Sequence, residues 1–397
     1  MDIKTKVLKP NTMLDSGRVR RFNLPGTKTS ITQITTFCPD MVGPGPTHIY
    51  LIDNGKKILV DTGIPTLLAK AMFYAWRGEP IPPEMAAVPD DFNETLLGEG
   101  LALAGCSIPE IDAIVISHGH PDHFLMGAHI AGQGQPEVIA HILDAPEISS
   151  PWGMLRRWVL NRREMRGGGV PPPKQTIESV TQGVDLESLG FSLKVVSPVF
   201  GEGPLQVNGA PIKGVEVKHL PGHSPGSIGL MIGKKGGQKV LLCGDVLLYP
   251  ITPIPDDLLQ YLRTLDTLTK VKDLALVLPA HGKTIKNVQA RILAIQNHHQ
   301  RRLKRTYRAC EKPCSVWDIA TLPRYFDVVV NPGTFNPLAA LEALAHMELL
   351  LGVDGLYRES TREGVHYFQN SEEPFEDVYA RIQGLINDRR VNTLMRY

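Results

Sequence analysis

The chain has 397 residues, 42% of them hydrophobic and 21% charged; this excludes a disordered or membrane-embedded protein and exceeds what one compact core usually holds. Lys and Arg number 42 against 41 Asp and Glu, so the bulk basic bias of a non-specific nucleic-acid binder is absent. Five scattered cysteines argue against a disulfide framework; with neither a signal-peptide core at the start nor about 20 successive apolar residues anywhere, a cytoplasmic protein without membrane association is expected.

Residues 1–30 are largely polar, with Arg18, Arg20 and Arg21 set around one valine, and read as an N-terminal extension outside the core. Strands are predicted over Ser30–Phe37, His48–Ile52 and Lys57–Val60, with Asn54-Gly55 as the hairpin signal between the last two. Asp61-Thr62-Gly63 then makes a turn. Pro65 to Ile108 reads as helical, broken in the middle by a proline-rich stretch that forbids a continuous helix. Ile111–Ser117 is β-branched and nearly continuous, as in a strand buried on both faces, and Val138–Leu143 is another strand.

Residues 151–174 have a different texture. Trp152, Leu155, Trp158 and Leu160 interleave with Arg156, Arg157, Arg162, Arg163 and Arg166, and the stretch ends in GGGVPPP, a flexible and then stiff connector. Strands resume at Phe191–Val199, Gly214–His219, Ser227–Ile232, Lys239–Leu242 and Leu274–Leu278, with a leucine-faced helix over Asp256–Leu268. Beyond Ile285 the predicted elements are helices over Asn287–Arg308 and Pro337–Leu351, a short helix capped by Ser315, a hairpin over Leu356–Phe368 and a last helix over Glu373–Ile386.

The chemistry concentrates at strand ends. Ser117-His118-Gly119-His120-Pro121-Asp122-His123 follows a buried strand and gathers three imidazoles and a carboxylate, a borderline ligand set for zinc, iron or manganese. So tight a loop cannot turn all four onto one ion but can serve two adjacent ones. His223 stands in the turn Leu220–Gly226, Asp245 follows the strand Lys239–Leu242 after Gly244, and His281 follows the strand Leu274–Leu278 before Gly282. Glycine beside each lets backbone approach a metal closely.

Taken in order, HxHxDH, PGHSPGS, GD and PxHG resemble the ligand motifs of the metallo-β-lactamase superfamily. The resemblance implies an α/β architecture, a four-layer αββα sandwich over residues 31–285 with its site at one edge of the two sheets. It places His118, His120 and His223 on one divalent ion and Asp122, His123 and His281 on a second, with Asp245 bridging. Zinc is the expected metal, with iron or manganese as alternatives. Asp61 matches the family's early strand-end aspartate behind the ligands, and Asp122 doubles as the catalytic group that orients the attacking hydroxide and accepts a proton as the tetrahedral adduct collapses. HHQRRLKRTYRAC, SVWDIA and the long Leu/Ala helix resemble the winged-helix tail of the lactamase-like endoribonuclease and thioesterase branch, implying a small winged-helix-like domain over 286–397.

The function so implied is a binuclear hydrolase in which an activated water attacks a carbonyl carbon of a thioester, as in glyoxalase II, or of a lactone. A phosphodiesterase or ribonuclease is the alternative, supported only by the tail and the basic helix Arg301–Arg308. A mononuclear iron persulfide dioxygenase shares the HxHxDH string, but the full second ligand set with His281 weighs against it. A flavodiiron reductase would carry glutamate at position 120, and an antibiotic-degrading β-lactamase would be secreted. The insert 151–174 is expected to form a lid over a small, anionic substrate, with Arg156, Arg157 and Trp158 as contacts; nucleic acid is disfavoured and a homodimer is left open. His219, His48, His129, His141, His346 and His366 are read as structural or surface histidines, His298-His299 as a domain contact, Cys243 as a buried inert thiol, and Cys310 with Cys314 as no zinc knuckle.

Overall fold

The β-branched runs fold into two mixed sheets in a computed structural model, which describes residues 3–388 apart from 41, 78–79, 154–164, 173–189, 235 and 327–328. The first sheet holds eight strands in chain order: β1 (Lys4–Lys9), β2 (Val19–Asn23), β3 (Ser30–Thr36), β4 (Thr47–Asp53), β5 (Lys57–Val60), β6 (Ala113–Val115), β7 (Glu137–His141) and β8 (Ser197–Val199). Pairing is antiparallel as far as β5 and parallel from β5 to β8. The second sheet comprises β9 (Gly203–Val207), β10 (Ala210–His219), β11 (Ile228–Gly233), β12 (Lys239–Leu242) and β13 (Leu274–Leu278), in the order β13-β12-β11-β10-β9.

Strand alternation decides what each face buries. On β5, Ile58 and Val60 point inward against Val217, Leu230 and Val240 of the second sheet, while Leu59 points outward. The outward face carries Ile34, Leu51 and Ile114 against Leu68, Leu97, Leu101 and Ile130 of the flanking helices Thr66–Arg77, Phe92–Ala104 and Gly127–Gly134. On the far side Met231, Leu241 and Val277 pack on Leu258, Tyr261 and Leu265 of the helix Leu258–Thr269. The result is helix, sheet, sheet, helix, held by three apolar interfaces.

Two expectations are corrected and one strand is added. Residues 4–23 are no extension outside the core: β1 and β2 are the first strands of the large sheet, and Val19, Phe22 and Leu24 are buried. The arginines masked the strand period, because Arg20 stacks its guanidinium on Phe22 and bonds Gln33 and Thr284. The strand expected over Phe191–Val199 is regular only at Ser197–Val199. Strand β9 was not foreseen, although Asn208 (φ 52°) and Gly209 (φ 73°) make the kind of Asn-Gly turn that closes a tight hairpin onto β10.

After β13 come the helices Val288–Ala309, Val316–Ala320, Pro337–Gly352 and Phe375–Asn387 and the hairpin of β14 (Leu356–Ser360) with β15 (His366–Asn370). Ser315 caps its helix as read, accepting from Asp318 N while the Asp318 carboxylate accepts from Ser315 N. The change of element type at residue 286 is not a break in packing. One apolar cluster runs from Leu258, Tyr261 and Leu265 through Ile292 and Leu303 to Leu350, Val378 and Ile382. Met165 and Val170, at the described end of the insert, are buried in it, and Gly168 O accepts from Trp317 N at 2.9 Å.

Candidate metal centre

The carboxyl ends of β5, β6, β12 and β13 meet at one edge of the sandwich, and each runs straight into a polar side chain: Asp61, Ser117 with His118, Asp245 and His281. The loop Leu220–Ser227 returns β10 to β11 at the same edge and carries His223. His118, His120, Asp122, His123, His223, Asp245 and His281 are all brought together there, with Asp61 directly behind them. Arg156, Arg157 and Trp158 lie outside the described residues.

Four of the five imidazoles, those of His118, His123, His223 and His281, are turned by a partner on the outer nitrogen. His223 Nδ1 is 2.9 Å from the Ile254 carbonyl oxygen, which can only accept, so this nitrogen carries the proton and Nε2 faces inward as a lone pair. The same logic holds for His281, whose Nδ1 lies 3.1 Å from the carbonyl oxygens of Gly45 and Pro46. His123 Nδ1 is 2.9 Å from Asp61 Oδ2. Asp61 also accepts from Ser117 N at 2.7 Å and Ser117 Oγ at 2.9 Å. With the hydroxyl proton so committed, Ser117 Oγ accepts from His118 Nδ1 at 3.0 Å, which leaves His118 Nε2 unprotonated.

Two groups of donor atoms result. His118 Nε2, His120 Nδ1 and His223 Nε2 lie 2.9, 3.1 and 3.2 Å from one another. Nitrogens bound about 2.0–2.1 Å from one tetrahedral ion sit roughly 3.3 Å apart, so the trio has the spacing of a ligand tripod. The second group is Asp122, His123 and His281: Asp122 Oδ2 is 3.1 Å from His281 Nε2 and 3.6 Å from His123 Nε2. Asp245 lies between the groups, one oxygen 3.7 Å from His223 Nε2 and the other 3.5 Å from His281 Nε2 and 3.8 Å from His123 Nε2.

The donor chemistry fits metal ions. His123 Nε2, His281 Nε2 and Asp245 Oδ1 are buried and make no hydrogen bond, a costly state that coordination would relieve. Burial opposes charge on His123, but Asp122, Asp61 and Asp245 outweigh it and lift its pKa to about 10. Burial likewise opposes charge on His281, and Asp245 and Asp122 again raise it. This negative field favours any cation placed among these groups.

Sequence reading missed Asp144, 1% exposed, which ties the two histidine loops together. Its Oδ2 accepts from Gly119 N (3.0 Å) and Ser224 Oγ (2.6 Å), and its Oδ1 from Gly226 N (2.6 Å). Nothing in HILDAPE marks it out, because its partners are remote in sequence. His219 stacks on His141 at 4.1 Å and its Nε2 meets Pro225 O, a structural role as read. His48 bonds Thr35 and Gly282 O, and Cys243 is buried with its pKa pushed up to about 12 by burial first.

This fold, with histidines and aspartates clustered at one sheet edge, defines a metal-dependent hydrolase of the metallo-beta-lactamase superfamily. The family model of that superfamily matches residues 42–281, and the chain belongs to the family. A Bacillus subtilis (strain 168) protein described as "Probable metallo-hydrolase YqjP" is 27% identical over 270 residues, 64% of this chain and 79% of that one. Among solved structures, the metallo-beta-lactamase family protein TTHA1429 of Thermus thermophilus superposes with a TM-score of 0.64 at 21% identity, covering 86% of this chain and 98% of its own. A beta-lactamase domain protein of Burkholderia ambifaria gives 0.61 at 20% identity, covering 91% and 97%. At those identities the two structures speak to the fold. Among the described residues no helix is long and apolar enough to cross a membrane.

Proposed function

We propose that the chain is a binuclear hydrolase in which His118, His120 and His223 hold one divalent ion, Asp122, His123 and His281 a second, and Asp245 contacts both. The observation that carries this reading is the position of Asp245, its two oxygens directed at separate ligand groups. Zinc suits the imidazole-rich set best, with iron or manganese as alternatives. Bound there, such ions would supply the Lewis acidity that lowers the pKa of a water and polarises the substrate's oxygen. The chain's own part is orientation. Asp61, Ile254 O and the Gly45 and Pro46 carbonyls fix which nitrogen His123, His223 and His281 present, and Asp122, beside His281, orients the attacking hydroxide and accepts a proton at a carboxylate oxygen as the tetrahedral adduct collapses.

The proposed substrate is a thioester or lactone. Exposed Ile142, Leu143 and Phe200 follow β7 and β8 at the edge where the ligands stand, a surface suited to an organic acyl group rather than a polyphosphate backbone. The insert 151–174 is proposed as a lid that admits a small, anionic substrate, with Arg156, Arg157 and Trp158 as its contacts. Residues 286–397 are proposed as a winged-helix-like unit, on their helices followed by the β14–β15 hairpin. The near-balance of charge suits a small-molecule enzyme, and the scattered cysteines suit a reducing compartment such as the cytoplasm.

The test is hydrolysis of a panel of acyl-CoA and S-acyl-glutathione thioesters by zinc-loaded protein, read by release of free thiol, with His120→Ala as control. Turnover that disappears in His120→Ala supports the thioesterase reading. Turnover no greater than that control removes thioesters and leaves lactones as the substrate class to assay.

A further inference from the structure

The helix Leu258–Thr269 is built onto the back of the metal centre, and Tyr261 in its first turn is wholly buried. The Tyr261 hydroxyl donates to Val246 O at 2.8 Å. Val246 follows Asp245 and closes a tight turn by donating its amide to Cys243 O at 3.0 Å, while Gly244 O accepts from Ala280 N, next to His281. The phenol therefore fixes one end of the turn whose middle presents Asp245.

The same helix holds the other loop. Gly222 O accepts from Asp257 N at 3.1 Å and Pro221 O from Thr264 Oγ1 at 2.7 Å, while Ile254, just before the helix, orients His223. Contact is close enough that a Cβ on Gly222, at φ +128°, would lie 2.3 Å from Tyr261 N. On its outer side the Tyr261 ring meets the His299 ring edge to face at 5.6 Å, and Arg263 donates to Leu385 O of the last helix.

We propose that this helix is a clamp on the metal centre, in which Tyr261 is the positioning residue that sets Asp245 through its hydroxyl while Asp257 N and Thr264 Oγ1 hold the His223 loop, with the C-terminal helices bracing the helix from behind. The inference rests on the ligand assignment proposed above. It gives the C-terminal helices a part in metal binding without any contact to the ions.

Cobalt(II) titration against a chromophoric chelator, with the visible d–d spectrum recorded, tests it. Tyr261→Phe keeps the ring and loses only the hydroxyl, and is expected to weaken binding about tenfold or more and to alter the spectrum. Tyr325→Phe, which removes a comparably buried hydroxyl bonded to Thr306 Oγ1 at 2.8 Å, is expected to keep wild-type affinity and spectrum whatever it does to stability. If Tyr261→Phe does not fold, Thr264→Val reads the His223 arm of the clamp and is expected to weaken binding. Wild-type values in Tyr261→Phe (or, failing that, in Thr264→Val), or equal losses in Tyr325→Phe, overturn the clamp alone. A wild-type chain that takes up no cobalt overturns the ligand reading and the clamp with it.

Discussion

Asp144 accepts the backbone amide of Gly226 through Oδ1 at 2.6 Å, while its other oxygen takes Gly119 N and the Ser224 hydroxyl. One carboxylate thus spans the loop of His118 and His120 and the loop of His223. Replacing it by alanine strands two buried backbone amides at once and leaves the Ser224 hydroxyl only Ser227 Oγ, at 2.8 Å. Asp144→Ala is expected to destabilise the fold by about 3 kcal/mol or more, measured by urea unfolding. A loss under about 1 kcal/mol would show that water or a neighbour replaces the carboxylate, and the staple would lose its importance.

Asp61 offers a cleaner separation of folding from binding. Asn in its place keeps an acceptor for Ser117 N but can present an amide N–H to His123 Nδ1, which favours the tautomer with its proton on the inward nitrogen. Asp61→Asn is expected to weaken zinc binding about 10- to 100-fold with little change in unfolding. Unchanged competition with a chelator would remove Asp61 from the support of the site.

Metal content itself is decisive for the two-ion proposal. Equilibrium dialysis with zinc is expected to give two ions per chain, one in His281→Ala and one in His120→Ala. With free zinc at about 100 times the Kd of each of two independent sites, the loaded protein is expected to be about 5.4 kcal/mol more stable than the chelated one, about 2.7 kcal/mol per ion. A single ion in the wild type would retire the bridging role of Asp245.

A pH test belongs to the C-terminal helices, away from the ligands. His346 is buried, Nδ1 donating to Glu342 O and Nε2 facing His299 Nδ1 at 3.1 Å; burial above all depresses its pKa from 6.5 to about 4. His299 is lowered too, by burial and then by His346. A depressed histidine means that the unfolded chain binds protons first as pH falls. The stability it confers is complete above about pH 6.5 and is lost as pH falls towards about 4. The contribution of His346 to the chelated protein's loss between about pH 7 and about pH 5 is about 2 kcal/mol, and His346→Leu is expected to lose less than the wild type by about that amount. Parallel pH profiles for the two proteins would count against this assignment.

The strands and the ligand candidates at their ends were legible because each depends on a local pattern, whereas the two-sheet core and the gathering of the seven candidates came from the resemblance to the metallo-β-lactamase superfamily. Ile58 and Val60 alternate with Leu59, and His118, Asp245 and His281 each follow an apolar strand end beside glycine. The first two strands were not legible, because Arg20 and Arg21 fill strand positions whose polarity is satisfied only by Gln33, Thr284 and Leu103 O across the fold. Strand β9 was missed despite its Asn208-Gly209 turn, since PLQV is too short and mixed to show a period.

By itself, then, the sequence determined which side chains could bind metal and that strand ends would display them, because ligand chemistry and strand period are properties of residues and their near neighbours. Tertiary structure alone decided which nitrogen His123, His223 and His281 present, that Asp144 joins the two loops, and that Tyr261 backs Asp245. Those outcomes depend on Ile254 O, Gly45 O, Gly226 N and Val246 O standing at hydrogen-bond distance. Only the folded chain sets that distance, since it brings together backbone groups that no local pattern relates.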